Sequence, residues 1–261
     1  MSREPGPVER EVVVVKLGGE TLAEQHDTLR GVAELAGEYR LLIVHGGGKR
    51  LSDWLDRLGI ESRWEAGRRA TDDAALEVAV AVLGGLVNKE LVASLVGLGV
   101  DAVGLSGIDG GLLVAERIAE LGRVARITDA RPRLLEGLLA AGVVPVVAPL
   151  ALDESGAICN VNADEVAAGL ARALRARLIL LSDTDGVRDG DGLRIDRLDA
   201  AEAEALIADG WISGGMIPKV RGGLSVLEAG GGAVVIADGR SPDALRRALS
   251  DPDFGTRLGL G

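Results

Sequence analysis

Two glycine clusters follow apolar segments near the start of the chain, and both are of a kind that binds phosphate. Lys16-Leu17-Gly18-Gly19 follows VVVV, and His45-Gly46-Gly47-Gly48 follows LLIV. Consecutive glycines present backbone N–H groups with no side chain in the way, and a helix that begins there adds positive potential. With Lys16 beside the first cluster, the pair predicts a cradle for a phosphate or a transferring phosphoryl group. Tight turns between strands and helices are the alternative interpretation.

Polar residues gather at further positions. A predicted helix opens with Asn160-Val161-Asn162-Ala163-Asp164, in which polar and apolar residues alternate. The two amides and the carboxylate either point together into a site or form an ordinary helix cap. The segment SGGMIPK places Lys219 at a helix start, where the dipole disfavours a cation, and this favours a functional role. Arg68 and Arg69 precede the longest predicted helix; a guanidinium there either clamps a carboxylate or is solvated.

Several familiar sites are excluded. A Walker A loop would have to use Gly48-Lys49, but position 43 is Ile and position 50 is Arg. Cys159 is the single cysteine and the chain has two histidines, so it has too few Cys and His side chains for a Cys/His zinc site. We therefore expect no protein-bound metal site.

The elements that must position these residues alternate along the chain. Apolar runs predict buried strands at 12–16, 41–45, 101–105, 143–148, 178–181 and 233–237, and helices are predicted near 28–39, 50–58, 73–98, 132–141, 164–174, 200–208, 219–229 and 242–250. Smaller hairpin signals occur near 61–65, 112–116, 123–128 and 186–195. This alternation predicts an α/β fold, an open αβα sandwich with a mainly parallel central sheet and two lobes sharing it.

Composition narrows the function classes. The chain has 261 residues, is 47% hydrophobic and carries a net charge of −11 with 2% aromatics, which argues against a nucleic-acid-binding protein. The longest uncharged stretch, 137–152, has 16 residues and contains two prolines, so we expect no membrane partner. No signal peptide is evident at the N-terminus, and we expect a cytoplasmic protein.

Nine segments in order make the chain similar to the amino-acid kinase family, from about Val12 to Leu258. They are VVVKLGG, LLIVHGGG, AGRRATD, GGLVNKELV, AVGLSGIDG, NVNAD, LLSDTDGV, GGMIPKV and GTRL. The resemblance implies the αβα fold above as a single domain over 1–261, with an acceptor-binding lobe over about 1–175 and a nucleotide-binding lobe over about 176–261.

The resemblance also implies roles. Lys16 and Lys219 match two lysines that stabilise the transferring phosphoryl group, and Asp164 matches the aspartate that orients them. Acceptor contacts are implied for Gly47, Gly48, Arg69 (rather than Arg68) and Asn160. Phosphoryl or nucleotide contacts are implied for Gly18, Gly19, Gly46, Ser182, Asp183, Gly186, Val187, Arg188, Trp211, Ile212 and Ser213. Arg68 stands where family members commonly carry an apolar residue, which leaves acceptor-side detail open.

Within the family, the motifs are most similar to the branch that phosphorylates the side-chain carboxylate of N-acetyl-L-glutamate in arginine biosynthesis. That branch uses ATP, with Mg²⁺ held mainly by the phosphates. One alternative is a kinase for carrier-protein-linked aminoadipate or glutamate, which should have a basic docking surface. The other is a non-catalytic amino-acid-binding regulator, which should have lost Lys16, Asp164 or Lys219.

The N-terminal residues bear on assembly. In the family, arginine-inhibited members carry an extra N-terminal helix that interlaces dimers into hexamers. Here eleven residues precede Val12, and they include Pro5 and Pro7 and form no apolar stripe. We therefore expect a C₂ homodimer without that helix, with the apolar run Val78–Val87 at its interface.

Overall fold

Strands and helices alternate along the chain in the computed structural model, which describes residues 10–18, 22–65 and 68–260. Gly19, predicted above to bind the phosphoryl group, and residues 1–9 of the N-terminal segment lie outside the described residues. The strands are β1 (Val12–Leu17), β2 (Arg40–His45), β3 (Arg63–Glu65), β4 (Arg68–Ala70), β5 (Ala102–Ser106), β6 (Leu113–Arg117), β7 (Val124–Ala130), β8 (Val144–Ala148), β9 (Leu150–Asp153), β10 (Ile158–Val161), β11 (Arg177–Ser182), β12 (Arg197–Leu198), β13 (Val234–Asp238) and β14 (Thr256–Leu258).

The helices follow the predicted order with some different boundaries. They are α1 (Leu22–Leu35), α2 (Gly48–Arg57), α3 (Asp73–Ala79), α4 (Asn88–Gly97), α5 (Arg133–Ala140), α6 (Ala163–Leu174), α7 (Ala200–Ala208), α8 (Met216–Glu228) and α9 (Ala244–Ser250). The predicted start of α8 at 219 was wrong because Pro218 falls in the first turn. No intrahelical N–H bond is required there, so the proline does not delay the helix.

Eight of the described strands form the central sheet, in the order β12-β14-β13-β11-β1-β2-β8-β5. Neighbouring strands are parallel except β13 and β14, which are antiparallel. In β1 and β2 the apolar run is buried on both faces, which is what helices on both sides of a parallel sheet require. The predicted fold class is confirmed: an α/β sandwich with a mainly parallel sheet.

Side chains of β1 alternate between two apolar layers. Val14 belongs to the core layer that also contains buried residues of α5, α6 and α8, whereas Val13 and Val15 belong to the layer with α1, α2, the α3–α4 helix and α9. β1, near the start of the chain, pairs in parallel with β11, which lies more than 150 residues later. The carboxyl ends of these parallel strands therefore lie side by side at the middle of the sheet, the usual place for a ligand in such folds.

Short strands escaped the sequence prediction. Within residues 68–260, β6, β7, β9 and β10 close into a small barrel. The predicted hairpin signals at 112–116 and 123–128 correspond to its antiparallel pair β6–β7, and the signal at 61–65 to the β3–β4 hairpin. Strands β9, β10 and β14 have only three or four residues each, too few for a periodic pattern to emerge.

The helix predicted over 73–98 runs from Asp73 to Gly97, and its middle, Val80–Val87, is π-helical. Asp72 caps its start by accepting a hydrogen bond of 2.8 Å from the N–H of Ala75. By length and composition alone this helix is apolar enough to cross a membrane. One face of it packs in the core, including Leu83, Leu91 and Leu95, so we interpret it as a core helix.

Asn88 and His45 join this helix to the sheet. The fully buried His45 ring donates from Nδ1 to the Gly46 carbonyl over 2.7 Å, and its Nε2 accepts from Asn88 Nδ2 over 3.2 Å. Asn88 also donates to the Val146 carbonyl over 2.9 Å. Both ring nitrogens of a neutral imidazole are thus satisfied, and burial lowers the pKa of His45 to about 4.

We expect this buried imidazole to make stability fall as the solution is acidified. Below the ordinary pKa of 6.5 the unfolded chain protonates His45, whereas the folded chain does so only near pH 4. Between these values the folded state loses about 3 kcal/mol through this group. We expect wild type to be more stable than His45→Gln at pH 7. Urea unfolding should show this difference in the free energy of unfolding shrink by about 3 kcal/mol between pH 7 and pH 4. A difference that stays constant with pH would contradict the assignment.

Candidate active site

The two glycine clusters lie at the carboxyl ends of β1 and β2, which are neighbours in the sheet. The N–H of Gly18 donates to the carbonyl of Leu181 over 2.7 Å, and a Cβ on Gly18 would lie 2.6 Å from that oxygen. Glycine here therefore allows β1 and β11 to approach closely at the end of β1. Its predicted contact with a phosphoryl group stays a prediction.

The second cluster opens α2. Gly47 has a φ of 139°, a conformation that L side chains rarely adopt, and the helix begins at the next residue, Gly48. No side chain caps this helix start and no acidic residue stands in its first turn. Its backbone N–H groups and its positive dipole end are therefore suited to an anion.

One carboxylate joins the two predicted catalytic lysines. Lys16 Nζ, at the end of β1, lies 3.0 Å from Asp164 Oδ1, and Lys219 Nζ, in the first turn of α8, lies 3.1 Å from Asp164 Oδ2. Lys219 also donates to the Gly215 carbonyl over 3.1 Å. The structure thus brings together three residues that are far apart in sequence, with two positive charges around one negative charge.

The start of α6 places Asp164 for this role. α6 begins at Ala163, one residue before its predicted start at 164, and Asn162 is the cap, accepting from the N–H groups of Asp164 and Glu165. Because Asn162 caps the helix, both carboxylate oxygens of Asp164 are left for the lysines. Burial opposes ionisation of this carboxyl, but the two ammonium groups outweigh burial and hold the pKa of Asp164 below its ordinary value.

A pocket of about 210 Å³ opens beside this ion triad. Its lining includes most of the predicted acceptor-side and phosphoryl-side residues: Lys16, Gly46, Gly47, Gly48, Arg69, Asn160 and Asp164, together with Trp64, Arg68 and Leu83. The pocket therefore collects motifs from four separate parts of the chain.

Arg69 is a buried cation that lines this pocket. Arg69 is 6% exposed, and its guanidinium donates to Ser62 Oγ, to Ser52 Oγ over 2.5 Å and to the Gly48 carbonyl over 3.3 Å. The ring of Trp64 lies 4.5 Å away. Within the described part of the chain no carboxylate lies within ion-pair distance of Arg69, and burial lowers its pKa. A buried cation with only neutral partners favours an anionic ligand.

The partners of Arg69 were missed by the sequence analysis. Ser52 stands one helical turn after Gly48 and donates to its carbonyl over 3.0 Å, a spacing visible in the sequence only once α2 is assigned. Trp64 stands opposite Arg69 in the β3–β4 register. Asn160, on β10, was predicted; it lines the pocket and donates to Thr71 Oγ1 over 3.2 Å.

The first predicted nucleotide loop follows β11, next to the end of β1. Ser182 is buried at the strand end, and Asp183 is exposed. Gly186 has a φ of 149°, and a Cβ there would lie 2.4 Å from Thr256 Oγ1. Arg188 is paired with Asp185 over 3.0 Å.

The other nucleotide-loop residues divide between surface and core. Trp211 is 56% exposed, and a Cβ on Gly190 would lie 2.8 Å from its ring, so this loop contacts the hairpin after β11. Ser213 is exposed. The side chains of Val187 and Ile212, in contrast, are buried in the core. The nucleotide contacts predicted for these two residues stay predictions.

Carboxylates of the described residues form no cluster suited to a metal. No group of three or more His, Cys, Asp or Glu side chains gathers there. Both oxygens of Asp164 face ammonium groups.

The chain belongs to the amino acid kinase family, whose model matches residues 11–238. It is 38% identical over 256 residues to an acetylglutamate kinase of Dehalococcoides mccartyi strain BAV1, covering 95% of this chain and 94% of the relative. It is 45% identical over 247 residues to an acetylglutamate kinase of Rubrobacter xylanophilus, covering 94% and 95%. Among solved structures it is similar to smu.665 from Streptococcus mutans UA159, with 26% identity, a TM-score of 0.81 and coverage of 96% and 99%.

Breaking the ion triad should destabilise the fold. Asp164→Asn leaves Lys16 and Lys219 buried without a counter-charge, and we expect a loss of about 3 kcal/mol in the free energy of unfolding. Asp53→Asn is the matched control, because its ion pair with Lys49 is exposed and worth at most about 0.5 kcal/mol. Equal denaturation midpoints for the two variants would show that the triad does not stabilise the fold.

Proposed function

We propose that this chain transfers the γ-phosphoryl group of ATP to the side-chain carboxylate of N-acetyl-L-glutamate. The observation that carries this proposal is the Lys16–Asp164–Lys219 triad at one side of a pocket that also holds the buried cation Arg69. The family and the two acetylglutamate kinase relatives support the same activity.

The chemistry needs no general base. The acceptor carboxylate has an ordinary pKa of about 4.3, so it is already ionised at neutral pH. His45, which a base mechanism might have used, is engaged in hydrogen bonds of the fold on both nitrogens. What the reaction requires is alignment of two anions and neutralisation of the charge on the moving phosphoryl group.

The lysines supply that neutralisation. We assign Lys16 and Lys219 to the oxygens of the transferring group, and Asp164 to holding both ammonium groups at the end of β1. The N–H groups at the start of α2, including Gly48, add fixed positive potential beside them. Because these groups are in place before the substrates bind, little reorganisation is needed during transfer.

The acceptor and the nucleotide enter from different parts of the chain. We assign the acceptor's α-carboxylate to Arg69, its other polar atoms to Asn160 and the backbone of Gly47 and Gly48, and this lobe to about 1–175. ATP is assigned to the loop after β11 and to the loop around Trp211, in a lobe of about 176–261. Exposure of Asp183, Trp211 and Ser213 is compatible with that assignment.

Mg²⁺ fits this site as a companion of ATP. The described carboxylates offer it no cluster, so its ligands would be mainly the phosphates, as is common for this ion. When bound, it neutralises phosphate charge in addition to the two lysines. In the cell we place the activity in the cytoplasm and in arginine biosynthesis.

We also propose a homodimer. An apolar groove of about 440 Å³ lies where α2 meets the long helix and is lined by Trp54, Leu58, Glu77, Val78, Ala81, Val82 and Leu86. Leu58 is 57% exposed there and belongs to this contiguous apolar surface, which suits an interface with a second copy.

The decisive assay measures ADP release with ATP and three acceptors: N-acetyl-L-glutamate, glutamate and aminoadipate. Acetylglutamate should be the preferred acceptor. Lys16→Ala and Lys219→Ala should each lower kcat by about a hundredfold or more, with smaller changes in KM, because each lysine acts on charge that develops during transfer.

Lys89→Ala is the control for these variants, because its ammonium donates to the Gly104 carbonyl outside the pocket. It should keep nearly normal kcat. Preference for aminoadipate would favour the carrier-linked alternative, and no turnover with any acceptor would favour a binding protein.

Light scattering should give the mass of a dimer, and Leu58→Asp should reduce it to that of a monomer. The added charge would be buried at the interface, whereas Leu193→Asp, at an equally exposed leucine elsewhere, should leave the dimer intact. A wild-type monomer, or a hexamer that survives Leu58→Asp, would contradict this assignment.

A further inference from the structure

The hairpin of β3 and β4, which carries Arg69, is not part of the central sheet. In the described part of the chain these two strands pair only with each other, over three residues each. A two-stranded hairpin of this size is not stable by itself in water, so its place beside the pocket depends on contacts with other elements. The position of the Arg69 guanidinium therefore depends on what holds β4.

The two ends of β4 are attached differently. Just after the strand, the N–H of Thr71 donates to the Leu121 carbonyl over 3.1 Å, and its carbonyl accepts from the N–H of Arg123 over 2.7 Å. At the first residue of the strand the attachment is a side chain, because Nη2 of Arg68 donates to Glu165 Oε1 in the first turn of α6. Nη1 of Arg68 is buried as well, so the guanidinium is held within the protein.

Neighbouring residues on β4 and on α6 face different partners. Side chains alternate along a strand, so Arg68 reaches α6, whereas Arg69 reaches the start of α2. In the first turn of α6, Glu165 faces β4 and Asp164 faces the two lysines. Asn162 accepts from the N–H groups of both acidic residues and fixes this turn. A continuous path therefore runs from Arg69 through β4, the ion pair and α6 to the triad.

We propose that the Arg68–Glu165 ion pair positions Arg69 relative to the ion triad and thereby sets the affinity for the acceptor, although neither member of the pair touches substrate. The inference rests on the proposed function and deepens it. The acceptor spans these two points, since one of its carboxylates is assigned to Arg69 and the other receives the phosphoryl group beside the triad. A shift of β4 would move one point and not the other, and a misplacement of about 1 Å is enough to weaken such a site strongly.

An arginine at position 68 is not what the transfer itself requires. Family members commonly carry an apolar residue there, so an apolar contact with α6 should be able to hold β4 equally well. In this chain the contact is ionic: burial raises the pKa of Glu165, and the charge of Arg68 acts against that rise. Removing one partner leaves the other partly buried and unpaired, so the two residues have to be tested together.

The experiment measures the Kd of N-acetyl-L-glutamate and of ATP with Mg²⁺ by calorimetry, together with kcat. Arg68→Leu should raise the acetylglutamate Kd about tenfold or more and change the ATP Kd by less than about twofold, because only the acceptor side moves. The truncated pair, Arg68→Ala with Glu165→Ala, should show the same loss although it leaves no unpaired charge. The apolar pair, Arg68→Leu with Glu165→Leu, should restore an acetylglutamate Kd close to that of wild type.

Arg63→Leu is the matched control, at an exposed arginine of β3, and it should change neither Kd. A wild-type acetylglutamate Kd in the truncated pair would overturn the proposal, and so would an apolar pair as weak as the truncated one. Equal losses for acetylglutamate and ATP would show that the pair only stabilises the fold, which also overturns it.

Amide hydrogen exchange of β4 gives a second measurement that needs no substrate. Exchange over 68–71 should be faster in the truncated pair than in wild type and slow again in the apolar pair. If wild type neither binds nor phosphorylates acetylglutamate, the proposed function fails, whereas the exchange rates still decide whether the ion pair holds β4. Exchange that is the same in wild type and in the truncated pair would overturn the inference.

Discussion

The buried contact of Asp164 with Lys16 and Lys219 is the interaction on which the arrangement of this site depends. Taking three charges out of water is costly, and a buried ion group is retained only where its geometry is good. Here the carboxylate stands in the first turn of α6, one ammonium at the end of a central strand and the other in the first turn of α8. Apolar packing holds each of these three elements in the core, and the triad fixes the positions of β1, α6 and α8 relative to one another at the middle of the sheet.

The same triad leaves the site with excess positive charge. Two ammonium groups share one carboxylate, and Arg69 is buried with hydrogen bonds to hydroxyl groups and a carbonyl and with no ion pair among the described residues. Such charge is unfavourable in the empty site and is neutralised when anions bind. Binding energy of the substrates is therefore coupled directly to the electrostatics that transfer requires, which is how preorganised sites gain rate.

Sequence patterns predicted the sheet, and singled out the three charged residues that meet at its middle, much better than they predicted the surroundings of those residues. The runs VVVV before Lys16 and LLIV before His45 are uniformly apolar, so their strands and the glycines after them were evident. The barrel strands β9 (LALD) and β10 (ICNV) were not, because each mixes apolar and polar residues over four positions and shows neither a uniform run nor a period. The roles of Ser52 and Trp64 depend on helix phase and hairpin register, which become known only in the fold. Asn162 rather than Asp164 caps α6 because the amide two residues earlier reaches both orphan N–H groups, a competition that composition alone does not decide.

The π-helical segment explains how one helix serves two surfaces. Leu83 points inward, where a Cβ on Gly47 would lie 2.7 Å from its Cδ2, so the glycine turn at the pocket rests directly on it. Val78, Ala81 and Leu86 line the opposite, apolar groove. A π turn widens the helix and shifts the phase of its side chains, which lets both faces be apolar within eight residues. The apolar groove and the pocket beside Gly47 therefore share one helix, although no described side chain lines both of them.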